Sequence, residues 1–164
     1  MQHADAVVAR NNRDASLCYS GVPVHSQTAS EGLALQGRAA PVPATILEGD
    51  TVAGTSLLIM DEGVDTGPII ASREIPLKGT ERTPELTKAL FALGAELLVE
   101  YGPRYVSGAL KPTRQTDEGA TLVRRHRKDD GILEWHKSAE ILERQVRAYE
   151  PWPGSATRWR GSPP

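Results

Sequence analysis

Hydrophobic order along this chain is uneven. Over the first 36 residues it is weak: the run Ala6-Val7-Val8-Ala9 suggests a short strand, and the apolar residues that follow have no clear period. From Ala39 the pattern sharpens. Pro41 to Leu47 can open and form a short helix, which Gly49-Asp50 stops. Thr55-Ser56-Leu57-Leu58-Ile59-Met60 reads as a buried strand. A turn follows over Asp61-Glu62-Gly63-Val64-Asp65-Thr66-Gly67-Pro68, punctuated by two glycines and a proline. Ile69 to Ile75 reads as the next strand, running on to Pro76-Leu77.

The strongest helical period lies between Pro84 and Tyr101. Thr83 suits the N-cap and Pro84 the first helical position. Leu86, Leu90, Leu93 and Leu97 then fall on one stripe, and Gly102-Pro103 is expected to end the helix. Lys111 to Gly119 is polar and rich in turn residues, as a linker would be. Ile132-Leu133-Glu134-Trp135 is a short strand candidate. Ser138 caps a second amphipathic helix, with Ala139, Leu142, Val146 and Tyr149 on one face, and Pro151-Trp152-Pro153-Gly154 breaks it. Strands alternating with helices predict an α/β layer.

Composition narrows the classes. The chain has 164 residues, enough for about one domain, and 19 basic against 21 acidic side chains give a net charge of −2. That excludes a generally basic nucleic-acid coat but leaves room for a local patch. One cysteine excludes an internal disulfide framework and fits a reducing, cytoplasmic setting. No apolar run approaches the roughly 20 residues of a membrane span. Only one Phe is present, lean for a compact core.

Candidate chemistry is sparse. Asp61, Glu62 and Asp65 share one glycine-rich turn; they read either as an acidic solvated turn or as a carboxylate held at a strand end, where open α/β sheets bind ligands. The spacing is not that of a calcium loop. His3, His25, His126 and His136 have no metal-ligand spacing, so no metal site is expected and each reads as a surface histidine. Cys18 lacks a nucleophile's context. The densest positive run is Arg124-Arg125-His126-Arg127-Lys128; it can meet phosphate or remain a solvated linker balanced by Asp129 and Asp130.

Taken together these residues resemble a known family. The blocks Arg38-Ala39-Ala40-Pro41-Val42, Ala44 to Thr51 and Gly54 to Pro68 resemble the folate-dependent formyltransferase domain. Lys128-Asp129-Asp130-Gly131-Ile132-Leu133-Glu134-Trp135 and Arg147-Ala148-Tyr149-Glu150-Pro151-Trp152-Pro153-Gly154 resemble its methionyl-tRNA formyltransferase branch, and the likeness runs from about Arg38 to Arg160. It implies a partial Rossmann-like formyltransferase domain over residues 37–112, built on a parallel sheet. A linker and the start of a small OB-like β-barrel domain that helps hold tRNA would occupy residues 113–164. It also implies 10-formyltetrahydrofolate as formyl donor, methionyl initiator tRNA as acceptor, and Asp65 as the catalytic carboxylate of the Asp-Thr-Gly-Pro turn. Arg124, Arg125, Arg127 and Lys128 are the tRNA-binding candidates. A sugar-nucleotide formyltransferase shares the Asp-Thr-Gly turn, but Gln115, with Glu118-Gly119-Ala120-Thr121 after it, favours the tRNA branch.

The same resemblance marks where this chain departs. The family's catalytic Asn and His fall, counted back from Pro41, on Gln27 and Ala29. His25 sits between Val24 and Ser26 with Pro23 in the Asn place, so catalysis is not carried onto it. Leu33-Ala34-Leu35-Gln36-Gly37-Arg38 can be encoded so that the adjacent frame reads Leu-Pro-Tyr-Arg-Gly, the family's wording. Residues 1–36 are therefore expected to be out of the ancestral frame; a neighbouring frame without an Asn-x-His segment would refute this. A chain truncated at both ends is expected, with an exposed sheet edge prone to self-association, or else a non-catalytic relic that binds tRNA weakly.

Overall fold

A computed structural model describes residues 8–10, 16–20, 41–61, 67–115 and 124–158. Along the chain these form β1 (Val8–Arg10), β2 (Ser16–Ser20), α1 (Pro41–Glu48), β3 (Val52–Ile59), β4 (Ile69–Pro76), α2 (Thr83–Val106), a 3-10 turn (Lys128–Gly131) and α3 (Ala139–Ala148). Among the described residues the strands form one sheet in the order β1-β2-β3-β4.

That sheet is antiparallel at every pairing, against the expected parallel one. Only residues 60–68 separate β3 from β4, too few for the crossover of a dozen or more residues that parallel neighbours need. Their register runs from Val52 opposite Pro76 to Leu58 opposite Ile69, with an irregularity at Leu57/Leu58. β3 is covered on both faces, with Ala53 to Leu58 all buried, whereas β4 alternates.

α1 begins at Pro41, where the missing N–H costs nothing, and ends where Gly49 takes φ +73°. Asp50 N–H then donates to Thr45 O at 3.1 Å. α2 carries the expected leucine stripe: Leu86, Leu90, Leu93 and Leu97 are buried. It differs from expectation at both ends. Arg82, not Thr83, is the N-cap; the Glu85 carboxylate accepts the Arg82 N–H at 3.2 Å, and the Thr83 hydroxyl instead donates to Ala148 O at 2.6 Å. Gly102 and Pro103 lie inside the helix. A proline removes one helical hydrogen bond. Here the apolar packing of Tyr101 and Tyr105 against the Leu57 cluster carries the helix through, and Ser107 N–H donates to Pro103 O at 3.0 Å.

Two apolar clusters hold the sheet and helices together. Val42, Ile46, Ala53, Leu86, Leu90, Ala148 and Tyr149 join α1, β3, the first half of α2 and the end of α3. Leu57, Ile70 and Leu97, with Ile59, Tyr101 and Tyr105 beside them, join the strands to the second half of α2. α3 forms with Ser138 as N-cap, its hydroxyl accepting from Ile141 N–H at 3.3 Å. Its buried face is rotated from the expected one: Ala139 and Val146 are exposed, while Gln145, Arg147 and Ala148 are buried. Ile132 makes only a single bridge, to Ala156, where a strand to Trp135 was expected. Among the described residues no helix is long and apolar enough to cross a membrane.

Candidate functional site

The first candidate is the turn between β3 and β4. Asp61 is exposed at its start, and Glu62 and Asp65 lie outside the described residues. Its far end is tightly built. Gly67 is buried, and a Cβ there would collide with Ile59 O, so only glycine fits. Ile59 N–H donates to Pro68 O at 2.9 Å. The expected linker is partly latched onto this same corner. Thr113 and Ile69 exchange two main-chain hydrogen bonds, each 2.8 Å, and the Gln115 side-chain amide donates to Gly67 O at 2.6 Å.

The second candidate is the basic stretch. Arg124 directs both terminal guanidinium nitrogens at the Asp130 carboxylate, each at 2.7 Å. Arg127 N–H donates to the same carboxylate at 2.7 Å. The Arg124 guanidinium, with that N–H behind it, holds the Asp130 carboxyl well below the usual carboxylate range. Arg124 is thus committed to closing the 3-10 turn, while Arg125, Arg127 and Lys128 are exposed and have no ion pair among the described residues. They remain available to a polyanion. His126 is not a plain surface histidine: it is half-buried with its ring edge-on to Tyr149, centroids 5.0 Å apart, and burial lowers its proton affinity. His136 is exposed beside Glu134.

The two distant motifs of the second block are one unit in space. A Cβ on Gly131 would collide with Gly154 O, so the 3-10 turn and the Pro-Trp-Pro-Gly turn touch main chain to main chain. Leu133 N–H donates to Ala156 O at 2.7 Å, and Ala156 N–H to Gly131 O at 2.9 Å. The Gln145 amide donates to Asp130 O at 3.0 Å and Ile132 O at 3.2 Å. Arg147 then anchors the unit to the start of α2 by donating to Glu81 O at 2.8 Å while pairing with Glu143; Arg82 pairs with Glu150 alongside.

Among the described residues the neighbours of the two candidates belong to different apolar clusters. The Gly67 corner packs near the C-terminal half of α2, and the basic stretch joins its N-terminal half through Tyr149. A helix of 24 residues is about 36 Å long at ~1.5 Å per residue. Sequence reasoning missed Gln115 as a contact of the turn, and missed Gln145 and Arg147; a polar residue on a helix face carries no periodic signal that it is buried. Among the described residues no group of His, Cys, Asp or Glu could hold a metal ion.

Comparison with known proteins follows the same division. The family model described as formyl transferase matches residues 34–101, and that described as formyl transferase, C-terminal domain, matches residues 125–163. Methionyl-tRNA formyltransferase of Chloroflexus aurantiacus is 43% identical over 123 residues, 75% of this chain and 40% of that protein. The Myxococcus xanthus protein of the same name is 46% identical over 123 residues, 75% of this chain and 39% of that protein. The chain thus spans about two-fifths of the length of these relatives. Among solved structures, HypX from Aquifex aeolicus in complex with tetrahydrofolic acid superposes with a TM-score of 0.67 at 19% identity, over 90% of this chain and 24% of that one. A 4-N formyltransferase from Francisella tularensis gives 0.64 at 16% identity, over 86% and 57%. At that identity these two share the fold.

Proposed function

The chain belongs to the formyl transferase family, and we propose that it serves methionyl-tRNA formylation in the cytoplasm. The formyl group of 10-formyltetrahydrofolate would pass to the α-amine of methionine on initiator tRNA during translation initiation. The observation that carries this reading is the pair of family matches in order on one chain, with Val64-Asp65-Thr66-Gly67-Pro68 in the first and the Lys128 to Gly154 block in the second. The name shared by relatives at 43–46% identity supports the tRNA branch over the sugar branch.

In this reading the amine nitrogen attacks the formyl carbon, its new C–N bond forms, and the bond to N10 of the folate breaks. The amine loses a proton and N10 gains one. In the sequence Asp65 falls between β3 and β4, and its carboxylate would orient or receive that proton. The oxygen of the tetrahedral intermediate needs donors, and each one removed costs about 10²–10³ in rate. With Gln27 and Ala29 at the Asn and His positions, this chain would lack those donors and its transfer would be slow or lost. Arg125, Arg127 and Lys128 would meet tRNA phosphates, in a segment that begins an OB-like domain over residues 113–164.

A second reading, tRNA binding without catalysis, is favoured by that same pair of substitutions. The two part company in an assay offering labelled 10-formyltetrahydrofolate with either methionyl initiator tRNA or a dTDP-amino sugar. Formyl-methionyl-tRNA as the sole labelled product supports the first reading. A retained tRNA with no label supports the second, and a formylated sugar refutes both.

A further inference from the structure

Residues 124–130 close into a loop around one carboxylate. The Asp130 side chain accepts both terminal nitrogens of Arg124 and the Arg127 N–H, each at 2.7 Å, and Arg124 also donates to Arg125 O at 3.0 Å. Asp130 N–H donates back to Arg127 O at 3.1 Å, and Asp130 O is held by the Gln145 amide of α3 at 3.0 Å. The Asp130 side chain is only 17% exposed, whereas Arg125, Arg127 and Lys128 on the same loop are exposed. Toward a polyanion, a carboxylate among these cations is a Coulombic cost. Asp129, its neighbour, carries the same charge but is exposed and makes no ion pair among the described residues. The two aspartates therefore separate charge from shape: both oppose a polyanion, and only the Asp130 carboxylate holds the loop.

We propose that Asp130 is a positioning residue for the cationic face, fixing through Arg124 and the Arg127 N–H the directions in which Arg125, Arg127 and Lys128 meet a polyanion. It rests on the reading that this run meets tRNA phosphates. Charge alone predicts that Asp129→Asn and Asp130→Asn, each removing one negative charge, tighten tRNA binding alike; positioning predicts opposite signs. Binding of non-aminoacylated initiator tRNA to the full chain is measured against salt concentration, for the native chain and for each variant. Asp129→Asn is expected to bind at least as tightly as the native chain. Asp130→Asn is expected to bind about tenfold more weakly, the scale of one charge-assisted contact, with a salt slope lower by about one. The Leu133 and Ala156 amides, bonded to Ala156 O and Gly131 O, keep their slow exchange and show that the rest of the unit is intact. Asp130→Asn binding as tightly as Asp129→Asn overturns the proposal. If Asp130→Asn does not fold, Arg124→Lys decides: it keeps every charge but cannot span both carboxylate oxygens, so it is expected to weaken binding, and native affinity and slope there overturn the proposal. Arg127→Gln keeps the reading apart from the proposal. If it weakens binding, the phosphate reading stands whatever Asp130 does; if affinity and slope stay native, that reading falls and the proposal with it.

Discussion

Between residues 41 and 110 the buried side chains are chiefly leucine, isoleucine and valine, with Leu57 at 1% exposure and Leu97 fully buried. Between residues 124 and 158 the buried set includes Gln145 at 5% and Arg147 at 8%, and the unit is tied by amides, a guanidinium and main-chain contacts. The first region is held by removal of apolar surface from water, which is non-directional and tolerant of detail. The second is held by hydrogen bonds whose loss strands a buried partner, so its stability depends on exact identities. The difference explains why the leucine stripe of α2 can be read as a period, whereas the buried polar residues of the second region follow none.

The contrast can be broken most forcefully at the apolar end. Leu90→Ala, at the centre of the cluster joining α1, α2 and α3, is expected to cost ~2–5 kcal/mol by denaturant unfolding. Both regions should lose protection together in hydrogen exchange, since Ala148 and Tyr149 share that cluster. Gln145→Leu, of similar volume, is expected to cost ~1–3 kcal/mol by stranding Asp130 O and Ile132 O, with increased exchange confined to residues 128–156. A neutral result there would mean that the second region is held by apolar contact after all. Ser138→Ala removes the α3 cap and is expected to cost about 1 kcal/mol.

The smallest effect is one of pH. Asp130 has its carboxyl held low in the folded state, so its contribution to stability is present above the unfolded value of about 3.9 and is lost as pH falls below it. His126, depressed by burial, has the same sign in a higher window, its contribution fading as pH falls below about 6.5. Unfolding midpoints should therefore decline more steeply on acidification in the native chain than in Asp130→Asn below about pH 4.

Much of the first region was readable in advance. The 3.6 period of Leu86, Leu90, Leu93 and Leu97 gave α2, and glycine and proline punctuation gave α1 and the β3–β4 turn. The strand direction was not, because an alternation of element types suggests crossovers, and only the short β3–β4 connection tells against them. The second region resisted for a different reason. Val146 looks like a core residue and Gln145 like a surface one, yet the partners that reverse their places, Asp130 O and Ile132 O, are main-chain atoms that no side-chain pattern reports. Of the candidate site, the Asp65 turn stood out by its likeness to the family and the basic run by its density of charge; what either does is a proposal. The commitment of Arg124 to Asp130 and the reach of Gln115 to Gly67 needed three dimensions.

The central claim, formyl transfer at Asp65 to methionyl initiator tRNA, is tested most directly by one rate. Label is followed from 10-formyltetrahydrofolate into methionyl initiator tRNA, using the full chain beside its Asp65→Asn variant. The account predicts slow formylation by the chain that drops by at least about a hundredfold in the variant, the scale set by loss of a positioned acid–base group. Methionyl-tRNA left unformylated by both, or formylated equally by both, would contradict it.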